Sequence, residues 1–184
     1  MWSGYRQKVR QQLGLDRNVT HEELVNRAKS WLKGKGCGVI LGEPFRARTT
    51  SKEIPDAIGW FGDATSILVE CKASRSDFLA DANKRFRKET DLGVGQWRFY
   101  LCPPDIIEVA DLPEHWGLLW SVGRSVKTVH GVPGNCHWRT HAPFRSNRLT
   151  EAEMLSQALR RVVIRGHLND VYDPITKFDY QGVD

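Results

Sequence analysis

Two carboxylates and one ammonium are set apart in this sequence by their spacing. Asp56 follows Pro55, and fourteen residues later comes Glu70-Cys71-Lys72. That is the only acid-x-Lys triplet in the chain, and it closes the apolar run Ile67-Leu68-Val69. In extended segments alternate side chains share a face, so Asp56 pairs with Ile54, and Glu70 with Lys72. Two neighbouring strands would then bring two carboxylates and an ammonium to a common point. Carboxylate oxygens suit a hard ion such as Mg²⁺, which keeps several waters and takes few protein ligands. Such an ion polarises a phosphate oxygen and lowers the pKa of a bound water. A lysine beside that water would orient it or help remove its proton. The plain alternative is an ordinary salt bridge between Glu70 and Lys72.

The elements that must position these groups are legible around them. Thr20 opens a helix as a capping box, with Glu23 three residues on, and Leu24, Ala28, Trp31 and Leu32 fall on one face before Gly34 and Gly36 end it. Cys37 to Leu41 reads as a short strand, and Phe45 to Thr50 as a second candidate. Ile54 to Phe61 and Thr65 to Lys72 flank the polar turn Gly62-Asp63, which predicts a hairpin. Ile67, Val69 and Cys71 point one way from it, Leu68, Glu70 and Lys72 the other. Ser74 or Ser76 caps a second helix with the apolar row Phe78, Ala82 and Phe86 and an exposed side of Lys84, Arg85, Arg87 and Lys88. Strands follow at Trp97–Cys102, Gly117–Val122 and Ser125–His130. A last helix starts at Thr150, with Glu153 completing a capping box and Leu155, Leu159, Val162 and Val163 facing inward. The tail from Asn169 carries Tyr172, Phe178 and Tyr180. Alternating helices and strands of this kind predict an α/β domain with a central mixed sheet flanked by helices.

Asp56, Glu70 and Lys72 on a hairpin flanked by two helices resemble the PD-(D/E)xK, or restriction-endonuclease-like, nuclease superfamily. Leu68-Val69-Glu70-Cys71-Lys72-Ala73-Ser74-Arg75-Ser76-Asp77-Phe78 looks especially like MmcB-type DNA-repair proteins and related phage-encoded proteins. The likeness covers residues 20–122 and is strongest over 53–102. It implies a restriction-endonuclease-like core in which Asp56 and Glu70 hold Mg²⁺ or Mn²⁺, the Cys71 carbonyl is a third ligand, and Lys72 serves the attacking water. Many members add an acid from the first helix, for which Glu23 (or Glu22) is the candidate, although capping explains Glu23 equally well. The superfamily also contains inactive members, so fold transfers better than activity.

Charge points to a polyanion. There are 27 Lys and Arg against 22 Asp and Glu, and no acid lies between His115 and Thr150. That stretch holds Arg124, Lys127, Arg139, Arg145 and Arg148, so the whole net charge of +5 resides there. Concentrated positive charge suits a phosphate backbone, because each neutralised phosphate releases counterions; a solubilising surface is the simpler account. Ser74, whose first role is to cap the second helix together with Asp77, sits where a helix N-terminus would face a phosphate. Lys84, Arg85 and Lys88 are candidates for backbone contact, and Trp138 for base stacking.

Other chemistry is weaker. His130, Cys136, His137 and His141 match no common zinc spacing. Gly93-Val94-Gly95 lacks the third glycine of a dinucleotide site, and no GK[ST] triplet supports a P-loop. A Cys–His nucleophile pair stays open, although Cys71 reads as core. The four cysteines form no CxxC pair and no secretory leader is apparent, which implies reduced thiols and a cytoplasmic setting. No apolar run is long enough for a membrane span. The 184 residues fit one domain, with a core at about 20–130, a basic loop at 131–149, and a helix and tail at 150–184. The expectation is a metal-dependent nuclease acting on DNA, with RNA as an alternative substrate. A homodimer would let two sites cut both strands. A catalytically silent nucleic-acid- or protein-binding module of the same fold is the competing expectation.

Overall fold

The structure, a computed structural model, describes residues 19–134 and 137–173. Its first element is helix α1 (His21–Gly34), opened by the predicted capping box: the Glu23 amide donates to Thr20 Oγ1 and the Thr20 amide to the Glu23 carboxylate. Then come β1 (Val39–Gly42), β2 (Ala57–Trp60) and β3 (Ser66–Cys71). Two short helices, α2 (Arg75–Asp81) and α3 (Arg85–Lys88), lead to β4 (Trp97–Cys102), β5 (Gly117–Val122) and β6 (Ser125–His130). Helix α4 (Arg148–Ile164) follows the basic loop.

The six strands form one sheet in sequence order. β1, β2 and β3 make an antiparallel meander; β3, β4 and β5 run parallel; β6 returns antiparallel to β5. β3 and β4 are buried along their whole length, as central strands covered on both faces must be. On one face α1 sets Leu24, Val25, Ala28 and Leu32 against Ala57, Val69, Cys71 and Phe99. On the other, Phe78 of α2 and Met154 of α4 join Ile58, Leu68, Tyr100 and Leu118. Among the described residues no helix is long and apolar enough to cross a membrane.

Four local expectations are corrected. Phe45 to Thr50 is no strand, because α4 side chains take its backbone bonds: Gln157 bridges the Arg48 amide and carbonyl, and Glu153 accepts from the Thr50 amide at 2.7 Å. Glu153 is therefore not a cap; α4 starts two residues earlier, where Asn147 accepts from the Thr150 amide. The second helix breaks between Asp81 and Arg85, since both Asp81 and Arg87 turn inward to meet Lys72 and Glu70. Leu159 and Val163, expected inside, are 48% and 45% exposed. The tail residue Tyr172 is exposed, and Phe178 and Tyr180 lie outside the described residues.

Candidate functional site

Asp56 precedes β2, and Glu70 sits one step beyond the Ala57↔Val69 pair, so the antiparallel register sets the two carboxylates side by side. The Cys71 amide donates to Asp56 Oδ2 at 2.7 Å and anchors that carboxylate to the neighbouring strand. The Cys71 thiol itself is core, packed toward α1, and burial pushes it well above the usual thiol value. Cys37 and Cys102 are likewise buried free thiols, both pushed up to about 12 by burial. A nucleophilic role needs the thiolate, which this environment disfavours.

Lys72 donates to Glu70 Oε2 at 3.3 Å and to Asp81 Oδ1 at 3.2 Å. Asp81 also accepts from Arg87 Nε and the Tyr100 hydroxyl, each at 2.8 Å, and pairs with Lys84 at 2.6 Å. Arg87 continues to Glu53 Oε1 at 2.7 Å, and Glu53 Oε2 accepts from the Val94 amide. The side chains of Glu53, Glu70, Lys72, Asp81 and Arg87 are at most 4% exposed, so they form one buried ionic network.

Burial by itself would depress the Lys72 ammonium, but Glu70, Asp81 and Asp56 outweigh it and hold it above the ordinary lysine value. Its neighbours therefore favour the charged form of Lys72, which suits a water-orienting or charge-stabilising role. Burial opposes the charge of Asp81, yet Arg87 and Lys72 keep it well below the carboxylate range. Burial first, then Glu70, pushes Asp56 up to about 7, against the Cys71 amide, Lys72 and His21. Glu70 Oε1 stands 3.0 Å from Arg87 Nη2 without hydrogen-bond direction, and both atoms are buried with no hydrogen-bond partner.

A second group converges on Asp56. His21 Nε2 lies 3.5 Å from Asp56 Oδ1 and 3.3 Å from Glu43 Oε2. Among the described residues this is the grouping of His, Cys, Asp and Glu whose ligand atoms have metal-binding spacing, all within 4.8 Å of one another. It adjoins a cleft of about 410 Å³ lined by His21, Glu22, Asn26, Lys29, Glu43 and Arg46.

Glu23 gives its carboxylate to the Thr20 amide at 2.8 Å, and the residue of α1 that reaches Asp56 is His21. Ser74 caps α2 through the Asp77 amide. Lys84 pairs with Asp81 and Arg85 with Glu89, while Lys88 is exposed. Arg124 and Lys127 lie in the β5–β6 hairpin. Arg139 pairs with Asp63 at 2.9 Å, and Arg148 donates to the Ala64 carbonyl and Gln96. Both therefore sit at the β2–β3 turn, the end of the hairpin opposite Asp56. Arg145 follows Phe144, whose amide bonds the Gln96 carbonyl at that same end.

Trp138 is not a stacking platform. It is 4% exposed, packs against Trp31, Phe61, Trp97 and Phe99, and its carbonyl accepts from Trp97 Nε1 at 2.8 Å. His137 and His141 have ring centroids 5.2 Å apart, and Cys136 lies outside the described residues. Sequence reasoning missed His21, Glu43, Glu53 and Asp81, and took Arg87 for an exposed cation. The available signal was the excess of acids around the hairpin, which requires a nearby cation once the hairpin is buried.

No protein-family model matches the chain, and no curated protein does. Among solved structures it is similar to SPO1766, a protein of unknown function from Silicibacter pomeroyi, with 23% identity and a TM-score of 0.52. The match covers 84% of this chain and 94% of that one. What the two share is the fold: an α/β domain with a mixed sheet between helices.

Proposed function

We propose that this chain is a divalent-metal-dependent phosphodiester hydrolase acting on DNA, built on a restriction-endonuclease-like core and working in the cytoplasm of a bacterial or phage-infected cell. The observation that carries the reading is the meeting of Asp56 and Glu70 on adjacent strands with the Lys72 ammonium on Glu70. The order of helix, antiparallel meander, helix and parallel strand agrees with it. The donor set fits a hard divalent ion. Asp56 is pushed up by burial and by Glu70, so its carboxylate gains from a neighbouring cation. Asp56 and Glu70 would hold Mg²⁺ or Mn²⁺, which when bound supplies a polarised phosphate oxygen and a more acidic water.

The remaining work belongs to the chain. The Cys71 amide fixes the Asp56 carboxylate. Lys72, protonated and gripped by Glu70 and Asp81, offers a fixed positive charge to the phosphate under attack. Arg87 and Asp81 keep Glu70 and Lys72 from drifting apart.

One observation favours a second reading, a silent nucleic-acid- or protein-binding module of the same fold: the Glu70 and Lys72 side chains are only 2% and 4% exposed and already paired. Incubating the protein with duplex DNA, single-stranded DNA and RNA, each with Mg²⁺, Mn²⁺ or EDTA, separates the two. The hydrolase cuts with metal, stops in EDTA, and loses cleavage but not nucleic-acid affinity in Lys72→Ala. Asp56→Asn and Glu70→Gln weaken metal binding severely in calorimetry. A wild-type protein that binds no divalent ion and cuts nothing is the silent module.

A further inference from the structure

His21, Glu43 and Asp56 come from three separate places in the chain. His21 is the first residue of α1, Glu43 follows the last residue of β1, and Asp56 precedes β2. No sequence motif links them, yet one atom from each meets within 4.8 Å. We propose that these three side chains form a divalent-cation site, and that its imidazole makes it select a first-row transition ion such as Mn²⁺ over Mg²⁺. The proposal deepens the hydrolase reading, with which it shares Asp56.

The distances suit a bound ion. Ligands about 2.1 Å from a metal and at right angles stand about 3 Å apart. The imidazole nitrogen is 3.3 Å from Glu43 Oε2 and 3.5 Å from Asp56 Oδ1, so these two pairs need only a few tenths of an ångström of contraction, while the two carboxylate oxygens lie within 4.8 Å of each other. The surroundings also orient the ligands. Arg46 takes the other Glu43 oxygen at 3.2 Å, Lys29 donates to the Glu43 carbonyl, and the Cys71 amide takes the other Asp56 oxygen. Each carboxylate thus keeps one oxygen for the site, which is how outer contacts fix metal ligands.

The donor set decides the ion. Mg²⁺ favours oxygen and gives up water reluctantly, whereas imidazole suits transition ions and carboxylate suits Mn²⁺ as well as Mg²⁺. One imidazole with two carboxylates therefore raises affinity for Mn²⁺ more than for Mg²⁺. The adjoining cleft of about 410 Å³ leaves room for the waters that complete the coordination.

The test uses the whole protein freed of metal with EDTA and then dialysed, titrated with MnCl₂ or MgCl₂ by calorimetry, with bound Mn²⁺ followed by electron spin-echo spectroscopy. The expected result is Mn²⁺ binding tighter than Mg²⁺ by about tenfold or more, with modulation from a directly bound nitrogen. His21→Ala should remove the nitrogen modulation and weaken Mn²⁺ by about tenfold, while Glu43→Gln weakens both ions. Circular dichroism checks folding; should His21→Ala misfold, the wild-type nitrogen signal decides alone. Equal affinity for the two ions, no nitrogen modulation in the wild type, or Mn²⁺ binding unchanged in folded His21→Ala overturns the site. If Mn²⁺ binds through nitrogen but no nucleic acid is cut, the cation site stands and the hydrolase reading falls. If nucleic acid is cut while bound Mn²⁺ shows no nitrogen, the reverse holds.

Discussion

Glu53, Glu70 and Asp81 place three carboxylates against two buried cations, Lys72 and Arg87. Burial pushes Glu53 up to about 7 despite its bond to Arg87, so its proton is taken up more readily than in an ordinary carboxyl. In the folded protein Glu53 holds its proton more tightly than in the unfolded chain, whose carboxyl has the ordinary value of 4.5. Its stabilising contribution is complete below that value and is lost as pH rises through about 7. Asp56, also pushed up to about 7, acts in the same direction. In EDTA, urea midpoints should therefore fall between pH 5 and 8, and Glu53→Gln should make that fall shallower; an unchanged slope refutes the assignment. At this scale Asp56, Glu70 and Lys72 were legible because strand alternation and a hairpin suffice to bring them together. His21 and Glu43 were not, since their meeting depends on how α1 and β1 pack around β2.

Elements with a strong local period were read to within a few residues. β4, β5 and β6 have the bounds read from the sequence, and α1 keeps its predicted cap and glycine stop. Elements set by long-range contacts were not. The break after Asp81 answers to Lys72 and Glu70, and the bonds of residues 48–50 go to a helix a hundred positions away. The basic loop is the sharpest case, because its lack of period hid a core residue. Trp138 fills the space between α1 and the sheet, so Trp138→Ala should lower the free energy of unfolding by about 3–5 kcal/mol, the usual cost of truncating a buried aromatic. A residue that only stacked on bases would leave the urea midpoint unchanged, which makes denaturation the deciding measurement.

Across the whole molecule, the positive charge does not gather where the acids meet. Arg139, Arg145 and Arg148 lie at the turn end of the β2–β3 hairpin. Asp56 is seven residues from Asp63, roughly 20 Å along an extended chain. The parallel strands β3, β4 and β5 all finish at the Asp56 end, the edge where α/β sheets open to ligands. Arg124 turns the β5–β6 hairpin there, and Arg46 borders the cleft beside Glu43. On the proposed reading of a DNA-acting hydrolase, the Arg139→Ala, Arg145→Ala double variant should accordingly bind DNA with wild-type affinity and salt slope. Arg46→Ala with Arg124→Ala should weaken binding and flatten the slope by about 0.9 for each phosphate left unneutralised. Fluorescence anisotropy at several salt concentrations reads both outcomes, and the opposite ranking would return the substrate to the basic loop. A different consequence follows from the bend before β4. Residues 93–96 have no regular secondary structure, yet the Val94 and Gly95 amides donate to the buried carboxylates of Glu53 and Glu151. Their deuterium exchange should therefore follow the slow clock of the central strands rather than that of a loop. Two backbone signals in one NMR spectrum would then time how often the buried charges open to water.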